Sequence, residues 1–294
     1  MVNMNRLDTA SRRAVIAALV EGMSIRGTVR MTGIAKNTIQ KLLLEIGAAC
    51  SQYQDETLRN LGCRRIQVDE CWAFCYAKAK NVKPEHFENG GYAGDIWTWA
   101  AIDADTKLIP CWSLGARDTE TAVHFVEDLA SRLSDRIQLT SDGLGSYLTA
   151  VEKAFRGVVD YAMLVKVYNQ PVEGRKRYSP ADCIACERHT IVGDPDRDHI
   201  STSYIERANL TMRMGMRRFT RLTNAFSKRV ENHAAAVSLH MMHYNFARKH
   251  QTLGTSPAVA AGIADHVWSI DEIIGLLEKI EPKSTRAAKI SVSN

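Results

Sequence analysis

The stretch from Arg65 to Ala79 reads RIQVDECWAFCYAKA, an apolar run with two acidic residues, Asp69 and Glu70, embedded in it. Its β-branched and aromatic residues favour an extended strand over a helix. Successive side chains of a strand point to opposite faces of a sheet, so the two acids are predicted to face opposite sides. We therefore predict a largely buried strand that carries a carboxylate into a site at the sheet.

Further strand and helix patterns follow this run. Four segments have the composition of strands: residues 96–102, 108–114, 137–140 and 158–168. Two helix patterns separate the last three: residues 118–133 and 147–155. Three strands, then helix, strand, helix and strand, is an order that matches an RNase H-like α/β fold, in which helices cover a mixed sheet. Residues 63–250 are the predicted catalytic domain, and residues 169–200, rich in proline and glycine, are a predicted irregular insertion within it.

The N-terminal residues 1–47 predict a helix-turn-helix DNA-binding domain. Apolar residues recur at helical spacing in three short segments, and Gly33 and Ile34 form a turn before the third. Five polar residues at the start of that third helix are predicted to face DNA: Lys36, Asn37, Thr38, Gln40 and Lys41. A three-helix unit can also serve for packing or dimerisation. Residues 48–62 are a predicted linker, and residues 251–294 are a predicted C-terminal helical segment with a basic tail.

A basic stretch from Ile200 to Arg229 reads ISTSYIERANLTMRMGMRRFTRLTNAFSKR. Glu206 is its one acidic residue, and seven basic residues follow before Val230. On a predicted helix over 202–218, Glu206 and Arg213 fall near one face with Asn209 and Arg217. The other interpretation is a solvated helix face with one ordinary salt bridge. The residues predicted to bind DNA phosphates are Arg213, Arg217, Arg218, Arg221 and Lys228.

Three distant acids are candidates for one metal site. Asp69 lies in the first strand and Asp142 follows the fourth, and these strands are neighbours in an RNase H-like sheet. Two carboxylates buried close together require a neutralising cation, and hard oxygen ligands suit Mg²⁺ or Mn²⁺. Two such ions, about 3.5–4 Å apart, can activate a water or a 3′-hydroxyl. With Glu206 as the third ligand, we predict that Asp69, Asp142 and Glu206 are catalytic, and that Glu70 is a weaker candidate because it faces the other side.

Four blocks of this sequence resemble those of DDE transposases of the insertion-sequence-one family: VDECWAF, TSDGLGSY, ISTSYIERANLTMRMGMRRFTRLTNAFSK and HYNFARKHQTLGTSPAVAAG. The resemblance covers roughly residues 60–270, and the block around Glu206 is the most specific. It implies an RNase H-like enzyme that uses a divalent metal to cut and join double-stranded DNA at terminal inverted repeats. When each block is matched to its counterpart in the family, the resemblance implies an acidic triad of Asp69, Asp142 and Glu206. It also implies that Arg213 lies near the scissile DNA.

The same resemblance implies a homodimer or a larger assembly, because two element ends are held at once. Many relatives begin with a cysteine zinc finger, which this chain lacks before Cys50. Recognition of the element ends would therefore rest on the helix-turn-helix and the basic helices. Two other functions remain open: an RNase H-like nuclease without strand transfer, and a non-catalytic helix-turn-helix regulator.

Composition limits the class of protein. The chain has 294 residues, of which 45% are hydrophobic and 24% charged, and a net charge of +5, so any nucleic-acid surface is expected to be local. Seven cysteines, an odd number, favour reduced thiols in a cytoplasmic compartment. The family resemblance implies a bacterial protein associated with the nucleoid. No apolar run approaches membrane-spanning length.

Cys183 and Cys186, with His189 and His199 nearby, are candidates for a zinc knuckle, although no second cysteine pair follows.

Overall fold

The computed structural model describes residues 7–87, 91–169, 183–220 and 224–279. Within these ranges a single mixed sheet has six strands in the order β3-β2-β1-β4-β5-β6. The strands are β1 Arg65–Cys75, β2 Gly94–Asp103, β3 Trp112–Gly115, β4 Gln138–Ser141, β5 Asp160–Tyr168 and β6 Cys183–Val192. The first three strands pair antiparallel, β4 runs parallel to both β1 and β5, and β6 pairs antiparallel with β5. This order confirms the predicted α/β fold with an RNase H-like mixed sheet.

Nine α-helices lie in the described ranges. They are α1 Thr9–Val20, α2 Ile25–Thr32, α3 Lys36–Thr57, α4 Thr119–Arg132, α5 Ser146–Phe155, α6 Ser203–Gly215, α7 Val230–Met242, α8 Pro257–Ala260 and α9 Ile270–Lys279. A π-helical turn, His243–Ala247, continues α7. None of the helices in the described part of the chain is long and apolar enough to cross a membrane.

Helices cover both faces of the sheet. On one face, Phe125 of α4 and Tyr147 of α5 are fully buried in the same core as Val68 of β1. On the other face, Ile205 of α6 and Val237 of α7 are buried in a core with Cys71 and other residues of β1 and β2. This two-sided cover leaves every residue of β1 buried or half-buried, including its two acids.

The N-terminal helices form where the sequence predicts them. Ser24 caps α2 by accepting a hydrogen bond from the Gly27 amide, and Gly33 ends the helix at a positive φ of 71°. The third helix does not stop at residue 47. It continues to Thr57, and the side chain of the buried Gln54 donates to the backbone carbonyl of Ser238 on α7. Its buried face belongs to the same core as the sheet, and a DNA-binding role for residues 1–47 stays a prediction.

The prediction of irregular structure over 169–200 is wrong for its second half, where residues 183–192 form β6. Pairing with the free edge of β5 supplies backbone hydrogen bonds that the local composition does not indicate. Residues 170–182 lie outside the described part of the chain.

The helix predicted to reach residue 218 ends instead at Gly215, and Arg217–Phe219 form a separate 3-10 turn. This turn places Phe219 in the core against His233, with ring centroids 5.1 Å apart.

Candidate metal centre

The site lies where β1 and β4 run side by side. Their parallel register pairs Gln67 with Thr140, so Asp69 in β1 and Asp142 just after β4 lie towards the same end of the two strands. One carboxylate oxygen from each of Asp69, Glu70 and Asp142 lies within 4.8 Å of the other two. The structure therefore brings the two predicted aspartates together, and it adds Glu70 to them. These three residues are called the acidic group below.

Glu70 belongs to this group in spite of its position on the opposite face of β1. Its side chain is buried, and the Nε atom of Arg117 donates to its Oε2 atom at 3.1 Å. The Nη2 atom of the same arginine lies 3.7 Å from Asp142 Oδ2, so Arg117 connects the two acids. The Arg117 guanidinium also lies over the Trp97 ring, 5.0 Å from its centroid. Alternation along the strand predicted the face of Glu70 but did not predict that its carboxylate approaches Asp69.

Burial shifts two of the three acids, Asp69 and Glu70, towards protonation. Burial is the main cause that raises the pKa of Asp69 to about 6 and the pKa of Glu70 to about 7. The Oε1 atom of Glu70 and the Tyr147 hydroxyl are buried without a hydrogen bond of normal geometry among the described residues. The hydroxyl is still close enough to Glu70 to lower the pKa of this carboxyl. The carboxylate oxygens of Asp69, Glu70 and Asp142, which lie within 4.8 Å of one another, are hard ligands of the kind that Mg²⁺ and Mn²⁺ prefer.

Helix α6 is fixed to the sheet by β1 itself. The buried side chain of Gln67 accepts hydrogen bonds from the backbone amides of Tyr204 and Ile205, at 2.9 and 3.2 Å. These amides belong to the first turn of α6. The first N–H groups of an α-helix have no acceptor within the helix, so Gln67 supplies one. One turn further on, the Asn209 side chain donates to Asp69 Oδ2 at 2.9 Å. Two β1 residues, Gln67 and Asp69, thus hold α6 against the sheet in addition to its apolar packing.

Glu206, in the first turn of α6, lies near the acidic group but outside it. It is close enough to contribute to the raised pKa of Asp69. Its Oε1 atom is paired with the ammonium of Lys166 on β5, and it also accepts from the Thr202 hydroxyl at 2.5 Å. The structure thus brings two of the three predicted metal ligands together and places the third beside them, paired with a lysine.

Two solved structures resemble the chain weakly. The cryo-EM structure of the piggyBac transposase synaptic complex with hairpin DNA matches at 11% identity and a TM-score of 0.40, over 95% of this chain and 73% of that one. The crystal structure of the Mos1 strand transfer complex matches at 13% identity and a TM-score of 0.24, over 53% of this chain and 58% of that one. No protein-family model and no curated protein matches the sequence. At these values the likeness assigns no activity, so the function has to be inferred from the residues of the site.

The predicted DNA-binding residues of the basic stretch differ in their exposure. Arg217 and Lys228 are exposed and Arg213 is half-buried. Arg218 is half-buried, and its guanidinium donates to the Ser227 hydroxyl at 3.0 Å. Burial lowers the pKa of Arg218 to about 10. Arg221 lies outside the described residues.

At the start of α3, the predicted groove-facing residues all have some solvent exposure. Lys36, Asn37 and Lys41 are exposed, whereas Thr38 and Gln40 are half-buried. The buried stripe of the helix, which includes Ile39 and Leu43, faces the core. The exposed side is therefore open to a partner, as a DNA-reading helix requires.

Two residues of the site gave no signal in the sequence. Lys166 lies in an ordinary strand pattern, and Arg117 precedes Asp118, the residue that caps α4. Neither belongs to a motif with characteristic spacing. Their importance follows from the arrangement of elements, which brings β5 beside α6 and the start of α4 beside β1.

Proposed function

We propose that this chain is a DNA transposase of the DDE type, which binds terminal inverted repeats, cuts DNA there and joins the ends to target DNA. The observation that carries the proposal is the acidic group, in which Asp69 and Asp142 meet from two parallel strands beside a helix that bears Glu206 and Arg213. Three carboxylates near a basic helix suit a reaction on a phosphodiester, because cations and guanidiniums both neutralise phosphate charge.

The residues of the chain have distinct roles in this proposal. Asp69, Asp142 and Glu206 hold Mg²⁺ or Mn²⁺, and such an ion supplies activation of a water or 3′-hydroxyl and stabilisation of the leaving oxygen. Asn209 keeps Asp69 in position through its hydrogen bond. Arg117 restrains Asp142 from the other side.

Glu206 is preferred over Glu70 as the third member of the triad. The Glu206 carboxylate is 41% exposed and lies on the basic helix, so DNA can approach it. The Glu70 carboxylate is 1% exposed and already paired with Arg117, which suits a supporting position behind the two aspartates. Glu206→Gln should therefore abolish cleavage, whereas Glu70→Gln should reduce it.

DNA is the proposed partner of two surfaces. Arg213, Arg217 and Lys228 would bind phosphates near the site, and the exposed start of α3 would read the terminal repeat. Two element ends must be held together for joining to one target, so the active form is a homodimer or a larger homo-oligomer.

The test is a cleavage and joining assay. The protein is incubated with Mn²⁺ or Mg²⁺, a target plasmid and labelled duplexes copied from the DNA that flanks its coding sequence. A transposase yields new 3′-hydroxyl ends and labelled plasmid, a nuclease yields ends without joining, and a regulator binds without cutting. Asp142→Asn should bind DNA like the unchanged protein and produce neither product. The matched control is Asp198→Asn, at an exposed acid elsewhere. If Asp142→Asn cuts at the normal rate, the proposed site is wrong.

A further inference from the structure

Strand β6 carries a pair of cysteines that the proposed reaction does not use. All seven cysteines of the chain are described and none forms a disulfide bond, and five of them are buried. Cys183 and Cys186 are the two exposed ones. They lie on the outermost strand of the sheet, next to β5. Their thiols are therefore accessible to a metal ion in solution.

An irregularity in the sheet turns both side chains to the same face. Residues three apart on a regular strand point to opposite faces. Here, however, Cys183 lies opposite Tyr168 and Cys186 lies opposite Lys166, with a register shift between Val167 and Tyr168. Tyr168 and Lys166 are two residues apart and share a face of β5, so their partners share that face as well. The extra residue of the bulge therefore brings the two thiols together.

The distance between the two sulfur atoms suits a tetrahedral metal ion. The Sγ atoms of Cys183 and Cys186 are 3.9 Å apart. Two thiolates bound to one tetrahedral ion at about 2.3 Å each lie about 3.8 Å from one another. The pair thus has the spacing of two metal ligands before any metal is bound. Loss of hydration and the contact with Cys186 raise the pKa of Cys183, as expected where two thiols compete to hold one negative charge.

The histidines of the predicted zinc knuckle do not complete the site. His189 lies opposite Met163, on the other face of the sheet from Cys186, and its ring contacts the Glu187 carboxylate at 3.2 Å. His199 pairs with Asp196 at 2.7 Å. Among the described residues, neither histidine forms a three-ligand group with the cysteines. The described part of the chain thus supplies two sulfur ligands and leaves the remaining positions to solvent.

We propose that Cys183 and Cys186 form an open, two-thiolate site for one thiophilic divalent cation of the zinc type per chain. Binding forms two metal–sulfur bonds, breaks two S–H bonds and releases two protons to the solvent, and waters occupy the other positions. The Lys166 side chain lies on the same face, where its positive charge would repel a bound metal ion. The Glu206 carboxylate already neutralises this charge, because it forms an ion pair with Lys166. The site is chemically distinct from the acidic group, because soft sulfur ligands select zinc where carboxylates select magnesium.

The probe is Co²⁺, which reports sulfur ligands by its absorption spectrum. The reduced, full-length protein is saturated with Mg²⁺ to occupy the acidic group and is then titrated with Co²⁺. We expect a sulfur-to-cobalt charge-transfer band with the intensity of two thiolates, saturating at one ion per chain and removed by one equivalent of Zn²⁺. The apparent affinity should rise with pH, because bound protons leave the thiols.

Four variants make the assignment specific: two single serine variants, the double serine variant and a histidine control. Cys183→Ser and Cys186→Ser should each weaken binding at least tenfold and halve the band intensity, while His189→Ala should leave both unchanged. Circular dichroism spectra check that these exposed substitutions leave the fold intact. No charge-transfer band, or a band that persists in the double serine variant, would overturn the proposal. A four-thiolate spectrum at one ion per two chains would also overturn it, because it would place the site between chains.

Discussion

Lys166 of β5 and Glu206 of α6 form an ion pair beside the two carboxylates of Asp69 and Asp142. The Thr202 hydroxyl donates to the same oxygen of Glu206, so that oxygen has two partners within the chain. A cation that uses Glu206 must therefore compete with an ammonium that is already present. Lys166 thus holds the third acid of the proposed triad in a definite place, at a cost to metal affinity.

Replacement of Lys166 should strengthen metal binding. In Lys166→Met the Glu206 carboxylate no longer has a competing cation, and partly exposed ion pairs contribute up to about 1 kcal/mol. We expect Mn²⁺ to bind about two- to fivefold more tightly, measured by isothermal titration calorimetry or by electron paramagnetic resonance of free Mn²⁺. Lys153→Met, at an exposed lysine on α5, is the control and should bind like the unchanged protein. Unchanged or weaker binding by Lys166→Met would mean that Glu206 does not hold the ion.

The buried acids predict how stability depends on pH. The pKa of Glu70 is about 7 in the folded protein against an ordinary 4.5, and that of Asp69 is about 6 against 3.8. Protonation of these groups therefore favours the folded state, and this contribution is complete below about pH 4 and is lost as the pH rises through 6 to 7. Without metal, Glu70→Gln should raise the melting temperature relative to the unchanged protein more at pH 8 than at pH 5.

The measurement is thermal unfolding in a chelator at the two pH values. Glu127→Gln, at an exposed acid of α4, is the matched control and should show no such pH-dependent difference. Added Mn²⁺ should stabilise the unchanged protein at pH 8, because the ion binds the deprotonated carboxylates. A melting temperature of Glu70→Gln below that of the unchanged protein at pH 8 would show that the charged carboxylate is stabilising.

The two neighbouring arginines after α6 should behave differently towards DNA. Arg217 is exposed, so Arg217→Ala should remove about one phosphate contact and reduce the salt slope of DNA binding by about 1. Arg218 is half-buried and its guanidinium donates to the buried Ser227 hydroxyl, so Arg218→Ala should leave the slope unchanged and lower stability by about 1–3 kcal/mol. Fluorescence anisotropy of a labelled duplex between about 50 and 200 mM salt gives the slopes. A flatter slope for Arg218→Ala at full stability would contradict its structural role.

A glycine on α3 controls how closely α3 and α7 pack. A Cβ atom at Gly47 would lie 2.5 Å from the Cα atom of Ala235, and the Gly47 carbonyl accepts from the Ser238 hydroxyl at 2.7 Å. We expect Gly47→Ala to destabilise the protein by about 1–3 kcal/mol or more, measured by urea denaturation. Gly145→Ala is the control, because no atom lies within 4 Å of its Cβ position and its φ is −60°. Equal stability of the two variants would mean that α3 can move away from α7 without loss.

The sequence predicted the features that depend on neighbouring residues. The apolar content of Arg65–Cys75 specified β1, and turn and cap residues such as Gly33 and Asp118 specified where helices end or begin. The position of Asp142 after a short strand was sufficient to predict that it meets Asp69, because the order of elements determined which strands are neighbours. These features are local, or follow from element order, and need no knowledge of side-chain partners.

The choice of partners was decided by tertiary structure alone. Strand β6 exists because β5 offers it a free edge, and its composition does not indicate this. Arg218 reaches the buried Ser227 hydroxyl because Phe219 beside it enters the core, and Glu206 faces Lys166 because β5 passes close to the first turn of α6. Sequence spacing determines which side chains share a face of one element. Distances between elements determine which of those side chains meet, and they depend on how the whole core packs.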